Sequence, residues 1–120
     1  MPLNNPGGGS VLTVHETSVF NGAAPAIWTD LDISAVVGNR VVLALLKAVN
    51  NDGVNNLTLK ARTNGDVDLF YAGISTWDNY SLGPGRAGLF AVITDVNGIF
   101  EWGSGIGATT EIFVEGFTVP

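Results

Sequence analysis

Hydrophobic and polar positions along this 120-residue chain alternate between short apolar runs and dense turn signals. The runs are Val11–Val14, Ala26–Ile33, Val41–Val49, Leu57–Ala61, Val67–Ala72, Leu89–Thr94, Ile99–Trp102 and Ile112–Val119. Asn21-Gly22, Gly38-Asn39, Asp52-Gly53, Asn64-Gly65, Gly83-Pro84-Gly85 and Asn97-Gly98 punctuate them. About eight short strands at this spacing predict an all-β, antiparallel sandwich. With 16 glycines and this order of runs, a jelly roll is the natural candidate. One segment, SAVVGNRVVLALLKAVN, also fits a helix, with Val37, Val41, Ala44, Leu45 and Ala48 on one face. Gly38-Asn39 interrupts it and valines crowd the part that follows, so a strand apolar on both faces is the better reading. Residues 1–10, with two Pro, three consecutive Gly and two Asn, predict a flexible arm ahead of one domain over 11–120.

The stretch AVITDVNGIFEW, residues 91–102, sharpens the picture. Asp95-Val96-Asn97-Gly98 suits a tight hairpin turn. Successive side chains in a strand point to opposite faces, so Phe90, Val92 and Thr94 share one face and Leu89, Ala91 and Ile93 the other. Phe100 and Trp102 likewise oppose Ile99 and Glu101. Both faces are largely apolar, and one of them needs a cover. By contrast, Leu57–Arg62 alternates cleanly, with Thr58, Lys60 and Arg62 facing water.

Composition points to the same need. Hydrophobic residues make up 46% of the chain and charged residues 13%, against roughly 25% charged in ordinary globular proteins. Mean hydropathy is +0.31. Such a surface is built from neutral polar groups or is partly buried against other chains. Eleven acids against five bases give a net charge of −6, and Arg40, Lys47, Lys60, Arg62 and Arg86 are too scattered to grip phosphates, which argues against nucleic acid. No apolar run is long enough for a membrane-spanning helix, and MPLNNPGGGS lacks the features of a signal peptide, so the expectation is a protein made in the cytoplasm. The chain has no cysteine, which removes disulfides and thiolate chemistry.

Little else in the chain suggests chemistry. His15 is the only histidine and has no partners for a catalytic arrangement, so it reads as a polar strand residue. The pairs Asp30/Asp32 and Asp66/Asp68, if extended, each place two carboxylates on one side. Hard oxygen ligands of this kind could hold calcium, the one cofactor candidate, but the spacing lacks the EF-hand pattern. Capping of turns is the simpler role. No cleft is evident for a carboxylate pair to act as a glycosidase, so an enzyme is not expected. Trp28, Trp77, Tyr71, Tyr80 and Trp102 could stack on sugar, with Trp77 and Tyr80 in the loop-like stretch 75–85 as the leading glycan contacts. Aromatics also fill cores and subunit contacts. The loop NNDGVNN, 50–56, reads as an exposed polar connection.

WTDLDISAVVGNRVVLALLK, NGDVD, VITDVNGIFEW and TTEIFVEGF, in that order, resemble the small jelly-roll structural proteins of tailed-phage virions. The resemblance runs from about residue 26 to residue 119, nearly everything after the arm. It implies a capsid decoration (cement) protein or a fibre head, commonly a homotrimer, with no catalytic residues. Its expected partners are copies of itself and the major capsid protein or other virion subunits, on the capsid surface, and for a fibre head a host glycan. On that reading the outward faces of Phe90, Val92, Phe100 and Trp102 meet neighbouring subunits. Leu3, Asn4 and Asn5 of the arm would then dock on the shell.

Overall fold

A computed structural model describes residues 12–66, 76–104 and 107–118, with side chains from residue 16 onward except those of 76–80. Eight strands and one helical turn follow in order: β1 (Leu12–Ala23), β2 (Thr29–Asp32), α1 (Ser34–Val37), β3 (Leu43–Asn50), β4 (Leu57–Thr63), β5 (Thr76–Leu82), β6 (Ala87–Ile93), β7 (Ile99–Ser104) and β8 (Thr109–Thr118). They form two four-stranded antiparallel sheets. Sheet A has the order β1-β8-β3-β6 and sheet B the order β2-β7-β4-β5. The sheets pack as a β-sandwich, as the spacing of apolar runs predicts.

Strand alternation decides what enters the space between the sheets. From sheet A come Ala44, Leu46 and Ala48 of β3, Phe90 and Val92 of β6, and Ile112 and Val114 of β8. Sheet B supplies Leu31, Leu57, Leu59, Ala61, Phe100 and Trp102. The rings of Phe90 and Phe100 meet edge to face across the two sheets, with centroids 6.4 Å apart. Phe20 of β1 meets Trp102 in the same way at 4.8 Å. Aromatic pairs favour this geometry because the positive ring edge meets the negative face.

These contacts correct the expected subunit interface. Phe90, Val92, Phe100 and Trp102 are at most 2% exposed within the single chain, covered by its own opposite sheet. The parity is fixed at the end of β6. Buried Thr94 sits on the same face as Phe90 and Val92; its hydroxyl donates to the Arg40 carbonyl and accepts from the Val42 N–H, both at 2.9 Å. That hydroxyl needs the interior partners, so its neighbours two and four residues back are drawn inward too.

The segment with two readings divides at Gly38. Ser34–Val37 form one helical turn, which Gly38 ends at φ +86°, and Leu43–Asn50 form a strand. The run Ala26–Ile33 is strand only over Thr29–Asp32, and the expected strand Val67–Ala72 lies outside the described residues. The stretch 75–85 differs from its loop-like reading: Thr76–Leu82 is strand β5, paired with β4. Its polar composition hides the strand, but an antiparallel ladder with β4 and a buried Leu82 at its end hold it there.

Every connection between consecutive strands except β4–β5 passes from one sheet to the other. The loop 50–56 is not merely an exposed connection. Asn50 is fully buried; its side-chain amide donates to the Asn55 and Leu82 carbonyls and its oxygen accepts from the Asp52 N–H, each at 2.9 Å. Asp52 accepts backbone N–H groups from Asn55, Val54 and Thr109, and these hold its carboxyl down at about 2. In the β6–β7 turn, Asp95 accepts from the N–H groups of Asn97 and Ile99, and Gly98 N–H donates to the Asp95 carbonyl at 3.1 Å. Gly98 takes φ +73°, and a Cβ there would collide with the Gly38 carbonyl in the β2–β3 connection.

Candidate functional site

Each sheet has an outer face as well as an inner one, and the two outer faces differ. On sheet A, β3 turns Leu43, Leu45, Lys47 and Val49 outward, and β6 turns Ala87, Leu89, Ala91 and Ile93 outward. The register sets Leu43 beside Ile93, Leu45 beside Ala91 and Lys47 beside Leu89. Leu45 remains 41% exposed, Leu89 53% and nearby Val41 38%. Lys47 marks the charged border of this patch. Its Nζ lies 3.1 Å from Glu115 and 3.2 Å from Glu16, and it sits 4.7 Å above the Phe113 ring. Hydrogen bonds to Glu115 and then Glu16 raise its pKa and keep it charged. From Lys47 to the β6 edge the face carries no charge.

On sheet B the outward side chains are Thr58, Lys60 and Arg62 of β4 and Ile99 and Glu101 of β7. Arg62 Nε donates to Glu101 Oε1 at 3.0 Å, with both side chains 16% exposed. Glu101 Oε1 also accepts the Gly65 N–H at 3.2 Å. Trp28, just before β2, lies over this face: Arg62 Cζ is 4.0 Å and Lys60 Nζ 4.8 Å from the indole centroid. Gly103 makes that crossing possible. A Cβ on it would come within 2.9 Å of the Ile27 carbonyl and 3.1 Å of the Pro25 carbonyl. The backbone of 25–27 therefore rests directly on β7 and carries Trp28 across to β4.

The residues singled out from sequence are scattered among these features. Asp30 and Asp32 do share the outer face of β2, around buried Leu31. Asp32 is a helix-start acceptor, however: hydrogen bonds from the Ser34 side chain and backbone lower its pKa, against burial and the nearby Asp95 charge. Asp66 closes a turn, its N–H donating to the Thr63 carbonyl, and Asp68 lies outside the described residues. Among the described residues no three His, Cys, Asp or Glu side chains converge on a point where a metal could bind. Trp77 and Tyr80 sit on β5 with Ala61 and Leu59 as register partners, and their side chains lie outside the described set, as does that of His15. Leu3, Asn4 and Asn5 also lie outside it.

Sequence reasoning missed Leu45 and Leu89 as the exposed apolar pair, and Trp28 as the aromatic of the polar face. The signals existed. Two apolar faces on β3 and β6 demanded that one be exposed, and Thr58-x-Lys60-x-Arg62 marked the solvated strand to which Trp28 reaches. No protein-family model matches the chain, and no curated protein matches it in sequence.

Proposed function

We propose that this chain is a non-enzymatic structural protein of a phage virion, a capsid decoration protein that acts as a homotrimer on the shell. The observation that carries the self-association is the apolar patch of Leu43, Leu45, Leu89, Ala91 and Ile93 on the outer face of β3 and β6, bordered by Lys47, with Leu45 and Leu89 about half exposed. A contiguous apolar surface bordered by charge is costly in water and is the usual mark of a subunit contact. The resemblance to small virion proteins supplies the number three and the shell as docking site. Strand orders β1-β8-β3-β6 and β2-β7-β4-β5 support the jelly-roll topology that goes with it.

The action is mechanical. A ligand that binds only the expanded shell stabilises that state by its binding free energy, multiplied over many sites. Residues 1–10 would add a second point of attachment, through Leu3, Asn4 and Asn5. Light scattering on the purified chain and co-sedimentation with expanded shells test the proposal together. A trimer that sediments with shells, and binds them weakly once residues 1–10 are removed, is expected. A monomer at every concentration that ignores shells overturns it.

A further inference from the structure

We propose that Trp28, Lys60, Arg62 and Asp30 on the outer face of sheet B form a binding site for a carboxylate-bearing saccharide. The site lies on the opposite side of the sandwich from the apolar face of β3 and β6, and its existence does not depend on the virion reading.

Three features converge. First, Trp28 is a partly buried aromatic ring on the outer side of sheet B, with the Arg62 and Lys60 cations over it, and such a ring is a platform for the C–H face of a pyranose. Second, its charged surroundings are unevenly satisfied. Arg62 is neutralised by Glu101, but Lys60 has no carboxylate partner among the described residues; its stem crosses Gly103 and its ammonium faces the Trp28 ring. Lysines 47 and 60 are the only two in a chain of net charge −6, and among the described residues only the first is paired. Third, Asp30 is exposed and has neither ion-pair nor hydrogen-bond partner among the described residues. It lies two strands from Lys60, roughly 10–12 Å away at the backbone for strands about 4.8 Å apart. That is the span of a short oligosaccharide. One sugar stacks on Trp28 with its carboxylate on Lys60, and Asp30 accepts hydroxyl hydrogens from the next.

Packing alone explains part of this. An indole that fills the gap over Gly103 and is capped by two cations would look similar. It would not require Lys60 to lack an anion or Asp30 to lack a donor. Nucleic acid is disfavoured, since its phosphates need a cluster of cations and here Arg62 is already paired with Glu101 in an acidic chain.

The test is titration of the full chain with trigalacturonate, sialyllactose and a hyaluronan tetrasaccharide, with maltotriose and lactose as neutral controls. Indole NMR signals are the readout. Saturable binding by at least one acidic sugar is expected, with neutral sugars at least about tenfold weaker. Trp28→Ala should weaken it by about tenfold or more, and Lys60→Gln by about fivefold, with weaker binding in high salt. Trp28→Phe keeps a stacking ring and should retain most of the affinity if Trp28→Ala disturbs the fold. Silence with all three acidic sugars overturns the proposal. So does equal binding of neutral sugars, or binding that survives both Trp28→Ala and Lys60→Gln.

Discussion

Outer faces of β3 and β4 occupy equivalent places on opposite sides of the same core, yet they differ in almost every respect. β3 shows Leu43, Leu45, Lys47 and Val49, whereas β4 shows Thr58, Lys60 and Arg62. Their inner faces are interchangeable in kind: Ala44, Leu46 and Ala48 on one, Leu57, Leu59 and Ala61 on the other. Folding requires only the inner pattern. The outer pattern is free to differ, polar and charged on sheet B and apolar up to Lys47 on sheet A.

The largest effect tests whether the inner faces belong wholly to the single chain. Trp102→Ala should cost about 3–5 kcal/mol in denaturant unfolding, the usual loss for a large buried aromatic. A variant that stays as stable but changes oligomeric state would return Trp102 to an interface. Next is the turn that carries the chain from β6 in one sheet to β7 in the other. Gly98→Ala combines positive φ with a collision against the Gly38 carbonyl, and should cost at least about 2 kcal/mol by thermal unfolding. An unchanged melting temperature would mean the two connections are not locked together as described.

Swapping the character of the outer faces sharpens the contrast directly. Leu45→Lys with Leu89→Lys should abolish self-association in light scattering, while the stability of the isolated chain changes by only about 0.5 kcal/mol per site. Lys60→Glu, on the other face, should leave the mass untouched. Equal effects from both faces would erase the distinction. The smallest effect concerns the loop between β3 and β4. Asp52 is held at about 2, below its ordinary 3.8, by N–H groups of Asn55, Val54 and Thr109. A carboxylate with a depressed folded pKa contributes stability above 3.8 and loses it as pH falls through about 2. Asp52→Asn should therefore lower stability at neutral pH, match the parent chain once the pH falls below about 2, and flatten the profile between those limits. Retention of the full acid dependence would assign it to other carboxylates, such as Asp95. Burial opposes the Asp95 charge, but hydrogen bonds from Asn64, Asn97 and Ile99 outweigh it and lower its pKa.

The strands themselves were legible because period-two alternation and Gly/Asn punctuation are local signals. β3, β4, β6, β7 and β8 fall within a few residues of the runs that announce them. β5 was not, since TWDNYSL carries no apolar alternation and owes its shape to the β4 ladder. Inside and outside could not be told apart on β6 and β7. Phe90-Ala91-Val92-Ile93 is apolar at every position, and the tie-breaker is Thr94, whose partners Arg40 and Val42 are 54 and 52 residues away in sequence. The Trp28 cluster was hidden for a related reason. It needs Gly103 under the 25–27 backbone, a contact between segments some 75 residues apart that no local pattern records.

Asn-Gly bonds age: the glycine nitrogen attacks the asparagine side chain, closes a succinimide ring and leaves aspartate or isoaspartate. Two of the turns that shape this sandwich, Asn64-Gly65 and Asn97-Gly98, contain that bond. In both, the attacking nitrogen is already engaged, Gly65 N–H with Glu101 and Gly98 N–H with the Asp95 carbonyl. The same hydrogen bonds that set the turns thus protect their most perishable chemistry. Peptide mapping after long storage should find deamidation at these two sites slowed in the folded chain and rapid once it is denatured. The durability of this fold would then be measured on a chemical clock as well as a thermodynamic one.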